Sequence, residues 1–318
     1  MKRFLKITAW ILGILVLIIG ALVAWVAFAP APTYDPPTIP DLKVEATPER
    51  IARGAELASM LCVICHTGQD KKLSGEHMLD VPLSFGKIHS FNITQHPEKG
   101  IGAWSDGEIY AFLRSGLRKD GTFAAMMPKF PHMAEEDVYS IIAWLRSDDP
   151  RLAPSEKDNA KNELTFLSKA LLKFAFKPLP MPEKAIPLPD TTDQIAWGRY
   201  IATGVYGCFA CHSEDFATVN DLEPEKSAGF FGGGNPMLDF DGNLIPSANI
   251  TPDKETGIGN WTEEQFLTTL KTGQSPNGPI RYPMLPYAIL DTAEIKAVWA
   301  YLKTVPPLKN EVARAPRD

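Results

Sequence analysis

The sequence predicts a mainly α-helical protein, with one transmembrane helix at the N-terminus followed by two small helical domains in tandem. Three observations carry that reading. Residues 7–29 contain no charged side chain. The pentapeptide Cys62-Val63-Ile64-Cys65-His66 recurs as Cys208-Phe209-Ala210-Cys211-His212, and the two copies use all 4 cysteines of the chain. A longer stretch then repeats without a gap at a spacing of 157 residues. A chain of 318 residues fits two domains.

The uncharged run from Ile7 to Ala29 is 23 residues long. As a helix it spans about 35 Å, enough to cross a hydrocarbon core with some tilt. Lys2, Arg3 and Lys6 precede it and hold that end in the cytoplasm, while Trp10 and Trp25 fall near the two interfaces. Ala27-Phe28-Ala29 also resembles a signal-peptidase site, which makes a cleaved signal the alternative. The run is longer than a signal core of about 7–15 residues, and Pro30 would follow the cut, so residues 1–29 read as an anchor. Either reading delivers the rest of the chain to the outer side of the membrane. Residues 30–48 contain Pro30, Pro32, Pro36, Pro37, Pro40 and Pro48, a density that favours an extended linker. Its expected role is to hold the first domain clear of the lipid.

The repeat defines the two domains, 49–148 and 191–308. Asn92-Ile93-Thr94 matches Asn249-Ile250-Thr251, and Gly100-Ile101-Gly102-Ala103-Trp104 matches Gly257-Ile258-Gly259-Asn260-Trp261. Leu113–Gly116 matches Leu270–Gly273, and Ala143-Trp144-Leu145 matches Ala300-Tyr301-Leu302. The Cys-x-x-Cys-His motifs are only 146 apart, so the second copy carries 11 more residues before Asn249, a stretch that includes Gly232-Gly233-Gly234. Helical spacing precedes each motif, at Ile51, Ala55 and Leu57 and at Ile195, Trp197 and Ile201. Gly54 and Gly198 in these helices leave room for another helix to cross closely. Ser105 and Thr262 read as N-caps of a second helix, with Glu108 and Gln265 completing capping boxes. A last helix runs from Glu135 or Thr292 to about Arg146 or Lys303. The connector, 149–190, holds one helical pattern: Phe166, Leu167, Ala170, Leu171 and Phe174, with Lys169, Lys173 and Lys177 on another face. It is expected to pack between domains, with a membrane-surface helix as the alternative. Residues 309–318 read as a tail.

Cys-x-x-Cys-His is the attachment signature of c-type haem. Two thiols at this spacing each form a thioether to a haem vinyl group, and the adjacent histidine reaches the iron from the proximal side. A four-thiolate zinc site or a pair of redox dithiols is the alternative. Neither accounts for the histidine after both pairs, and Cys65 and Cys208 stand 143 residues apart. Two covalently bound haem c groups are therefore expected. A sixth ligand should lie ahead of each last helix. Met284 is the only methionine so placed in the second copy, whereas the first offers Met126, Met127 and Met133. Met127 stands 157 before Met284 and 11 after Gly116, as Met284 is 11 after Gly273. The order Met-x-Pro in Met284-Leu285-Pro286 keeps Met126 open, since Met126-Met127-Pro128 has the same pattern. Met133 aligns with Leu290 and reads as core. His77, His89, His96 and His132 have no counterparts and read as ordinary polar residues. The three glycines lack a phosphate-loop context and read as a loop that covers the cofactor or faces a partner. A net charge of −6 argues against nucleic acid and suits a redox partner with a basic patch.

Nearly all the chain beyond the linker resembles membrane-bound dihaem members of the cytochrome c family, with two tandem class I cytochrome c domains. The block Asn92–Ser105, repeated as Asn249–Thr262, is similar to that of cytochrome subunits of membrane alcohol and aldehyde dehydrogenases. Those subunits usually carry three haem motifs; this chain has two. The resemblance implies that Cys62, Cys65, Cys208 and Cys211 bind haem covalently. It implies His66 and His212 as proximal iron ligands, and Met127 and Met284 as distal ones. The expected function is electron transfer without catalysis, on the periplasmic side of a bacterial inner membrane. The donor would be a dehydrogenase or lie on the quinol side, and the acceptor would be a downstream cytochrome or oxidase. A dihaem enzyme of peroxidase or thiosulfate-oxidising type is the alternative; it needs an open iron or a cysteine ligand, and no cysteine is spare.

Overall fold

The computed structural model describes residues 1–79, 81–239 and 242–313; the end of the expected tail, 314–318, lies outside the described residues. The chain is mainly helical. It opens with α1 (Lys2–Phe28), a single helix long and apolar enough to cross a membrane. Residues 30–47 run extended, as their prolines require, but they are not a free spacer. Tyr34 N donates to Gly121 O at 3.0 Å and Val44 N to Asp106 Oδ2 at 2.9 Å, while Leu42 and Val44 pack on the core. The segment is strapped along the first repeat.

That repeat comprises α2 (Pro48–Leu61), α3 (Val63–His66), α4 (Asp106–Ser115) and α5 (Glu135–Leu145). The connector holds α6 (Phe166–Phe174). The second repeat has α7 (Gln194–Arg199), α8 (Cys208–His212), α9 (Glu263–Thr272) and α10 (Thr292–Leu302). In each repeat the first and last helices cross, α2 on α5 and α7 on α10, and glycine makes the crossing possible. A Cβ on Gly54 would stand 1.9 Å from Ser140 O, and one on Gly198 would stand 1.8 Å from Ala297 O. Ser140 and Ala297 are themselves 157 apart, so the repeat in sequence is a repeat in packing. Both expected capping boxes form, Ser105 with Glu108 on α4 and Thr262 with Gln265 on α9, and each of these helices ends on a left-handed glycine, Gly116 or Gly273.

Two further features differ from the expectation. Cys208 stands ten positions after Gly198, against eight from Gly54 to Cys62, and the surplus falls in a π-helical turn, Tyr200–Val205, that widens the end of α7. The connector helix does not sit between the repeats: α6 packs against the end of α1 and against the 83–85 turn. The repeats instead meet directly. Arg53 on α2 pairs with Asp137 on α5 at 3.0 Å and with Glu294 on α10 at 2.8 Å. Tyr200 donates its hydroxyl to Asp137 Oδ2 at 2.5 Å and accepts from Ala134 N at 3.1 Å. Asp137 and Glu294 occupy the same position in the two copies, so one guanidinium ties the last helices together.

Candidate haem sites

In both repeats a short helix carries the Cys-x-x-Cys-His motif and presents a buried histidine. His212 Nδ1 lies 2.8 Å from Ala248 O, and His66 Nδ1 lies 2.6 Å from Phe91 O. A carbonyl can only accept, so Nδ1 carries the ring proton and Nε2 keeps a lone pair for a metal. Burial pushes both rings below the usual histidine range, which keeps them neutral.

Phe91 and Ala248 immediately precede Asn92 and Asn249, which gives the Asn-Ile-Thr block a structural role. Asn92 Oδ1 accepts from Thr94 N at 3.0 Å and Thr94 Oγ1 at 2.6 Å; Asn249 does the same with Thr251 at 3.0 and 2.7 Å. The asparagine amides donate to the chain returning after each last helix, at Ser155 O (3.1 Å) and Leu308 O (2.7 Å). The glycines that follow close the stack: a Cβ on Gly100 or Gly257 would lie 2.1 Å from Thr94 O or 2.3 Å from Thr251 O. The whole block is a buttress behind each histidine.

The three-glycine run belongs to the same buttress and is not a covering loop. Gly233 N donates to His212 O at 2.8 Å, as Gly75 N does to His66 O at 2.9 Å. Ile250 N bonds Phe231 O and Ile93 N bonds Leu73 O, which makes Phe231 the counterpart of Leu73. The extra length of the second copy therefore lies before the glycines, between His212 and Phe231.

The second repeat encloses a cavity of about 870 Å³ lined by Cys208, Cys211, His212 and Met284. Ile201, Ile258 and Leu270 make its walls apolar, and Tyr206 meets Tyr287 edge-on at 5.1 Å on its surface. The volume lies within the roughly 300–1,000 Å³ of cofactor sites. Two thiols, a neutral imidazole and a thioether facing one apolar chamber fit a covalently attached haem with two axial ligands. Burial, reinforced by the neighbouring cysteine, pushes Cys62 and Cys208 up to about 12. That direction is opposite to the low-pKa thiolates of redox dithiols. Among the described residues no three His, Cys, Asp or Glu side chains gather into a metal-holding group.

In the first repeat the counterparts keep register. Met127 N bonds Ala124 O and Met284 N bonds Arg281 O; Phe130 N bonds Leu113 O and Tyr287 N bonds Leu270 O. Each pair of bonds is related by 157 residues. Met127 is half-buried against the core, Met126 is 39% exposed, and Met133 is fully buried in the position of Leu290. Two half-buried cations here have no counterpart in the second copy, where Ser275 and Pro286 stand, so the repeat comparison gave no sign of them. Arg118 lies 4.3 Å over the Phe91 ring, beside the carbonyl that holds His66. Lys129 lies 4.8 Å over Phe123, and burial pushes its ammonium down to about 8. Of the lone histidines, His96 meets Glu156 at 3.1 Å and His132 meets Asp221 O at 2.9 Å. His77 and His89 form a pair, ring centres 5.1 Å apart.

Residues 49–145 match the family of cytochrome c oxidase, cbb3-type, subunit III. The chain carries a cytochrome c family domain. Cytochrome c relatives extend over both repeats. The cytochrome c subunit of the quinone alcohol dehydrogenase of Gluconacetobacter polyoxogenes is 29% identical over 274 residues, covering 81% of this chain and 56% of that one. The cytochrome subunit of fructose dehydrogenase from Gluconobacter japonicus is 30% identical over 279 residues, covering 80% and 52%. A dihaem c-type cytochrome of Cereibacter sphaeroides is 28% identical over 266 residues, covering 78% and 83%. The chain thus spans about half the length of the two dehydrogenase subunits.

Proposed function

We propose that the protein is a membrane-anchored dihaem electron carrier, with one haem c in each of two class I cytochrome c domains, 49–148 and 191–308. The observation that carries the reading is the chamber in which Cys208, Cys211, His212 and Met284 face one another. Bound haem supplies one-electron redox chemistry. The protein's part is to fix it through the two thiols, to ligate it through a histidine of set tautomer, and to exclude water with apolar walls. His66 with Met127, and His212 with Met284, would hold the iron of the haem in their own repeat, and an iron held by both would leave no place for a substrate. This favours a carrier over an enzyme.

Residues 1–29 serve as an anchor that holds the domains at the periplasmic face of a bacterial inner membrane. The end of α1 supports this, because Lys169 and Lys173 of α6 donate to the carbonyls of Ala27, Ala29 and Pro30. A segment destined for removal has no need of such ties. Two of the three relatives are cytochrome subunits of dehydrogenases, so the proposed donor is a dehydrogenase or quinol-side protein, and the acceptor a downstream cytochrome or oxidase. A redox titration of the purified protein followed by optical spectra tests this reading. Two one-electron steps of low-spin haem are expected. A high-spin iron that binds and turns over peroxide would overturn it.

A further inference from the structure

The connector helix α6 is inside out. It buries Ser168 and Lys173 and exposes Phe166, Leu167 and Phe174. At about 100° per residue those three fall in one stripe, with Ala170 between them. A surface helix ordinarily turns its apolar stripe to the core and its charges to water. This one leaves its apolar stripe largely exposed: Phe166 by 49%, Leu167 by 44%, and Phe174 by 59% although its ring meets Trp25.

The surroundings of α6 indicate what covers the stripe. Its inward face is fixed to the end of α1: Lys173 Nζ donates to Pro30 O at 2.6 Å and Ala29 O at 3.1 Å, and Lys169 Nζ donates to Ala27 O at 2.9 Å. The Lys173 ammonium also stands 5.0 Å over the Trp25 ring, and the Phe174 ring lies 5.9 Å from it. These lysines satisfy carbonyls that a helix end leaves unmet and place positive charge at its negative pole. At its other end α6 grips the turn at 83–85, where Ser168 Oγ donates to Phe85 O at 2.6 Å and Leu83 is 77% exposed. Phe28, the last residue of α1, is 88% exposed. Apolar side chains from three separate segments thus lie around the point where the apolar helix ends.

We propose that α6, together with the turn bearing Leu83, is a second membrane contact that lies in the lipid interface beside α1. Amphipathic helices bind there by burying an apolar face at the headgroup boundary. With α1 alone the domains could swivel about one rod; a second contact fixes which side of the first repeat faces the lipid. The inference rests on the anchoring of α1 proposed above.

Site-specific photo-crosslinking of the full-length haem-loaded protein in phospholipid vesicles tests it. A photoreactive benzoylphenylalanine replaces Leu83, Phe166 or Phe174, one at a time. Leu15 within α1 serves as the anchor control, and Phe216 and Leu244, exposed in the second repeat, serve as surface controls. Haem content of each variant checks that it has folded. Lipid adducts are expected from 83, 166 and 174 at yields near that from 15, with background yields from 216 and 244. Adducts from 15 alone would overturn the second contact and leave the anchor standing. Adducts from 83, 166 and 174 with another polypeptide in place of lipid would overturn it in favour of a protein partner. No adduct from 15, with a mature chain beginning near Pro30, would overturn the anchor and the proposal with it.

Discussion

At the scale of single residues, the tightest constraints are glycines and the groups of the two candidate haem sites. Gly54 and Gly198 have no room for a methyl group, since the obstructing atoms are backbone carbonyls of the crossing helix. Gly54→Ala or Gly198→Ala should lower stability by about 1–3 kcal/mol through overpacking, read in denaturant melts. Both glycines were legible because they recur at helical spacing before the same motif. Met284→Ala should lower one haem midpoint potential, because a thioether favours the reduced iron. Met127→Ala should lower the other; if Met126→Ala does so in its place, the 157-residue register is wrong for that loop. Asp149 was not legible. Hydrogen bonds from Arg151, above all, hold its carboxyl down at about 2, with Trp144 Nε1 adding a bond at 3.0 Å. A depressed acid stabilises the fold above its unfolded value of about 3.9 and loses that contribution as pH falls through about 2. Asp149→Asn should therefore cost about 2 kcal/mol at neutral pH, and its deficit should shrink to nothing across that window in melts at graded pH.

At the scale of elements, the sequence was most informative where side chains dictate backbone. Ser105 with Glu108 and Thr262 with Gln265 cap α4 and α9 because a hydroxyl meets a free amide at fixed spacing, and that geometry is local. Thr262→Ala should cost about 1 kcal/mol, visible as a shifted unfolding midpoint, with little effect on either haem spectrum. The misjudged elements depend on distant partners. The periodicity of α6 was plain, but its orientation was not: Lys173 is buried because it finds the carbonyls of Ala29 and Pro30, over 140 residues earlier. The linker's prolines gave its extended form and concealed its docking, which depends on Asp106 and Gly121. The glycine run was read as a loop because its role is set by the carbonyl of His212, which no local pattern reveals.

At the scale of the molecule, two copies of one design are joined by a buried ion cluster. The Asp137 side chain is 3% exposed and that of Glu294 9%, and both rest on Arg53. Arg53→Met would leave two carboxylates facing each other without compensation, a loss of about 3–5 kcal/mol for a buried pair. The repeats should then unfold in separate steps in calorimetry, where the parent protein unfolds in one. The duplication also explains why so much of the candidate sites was legible: Met284 identified Met127, and each histidine identified the other. It equally explains what stayed hidden, since Arg118 and Lys129 occur in one copy only. The central claim is that each copy holds its own covalent haem. The most direct test is the ratio of haem to polypeptide after denaturation in alkaline pyridine. Two haems per chain are predicted, falling to one when Cys62 and Cys65 are both changed to serine; a parent protein with fewer than two covalent haems would contradict the account.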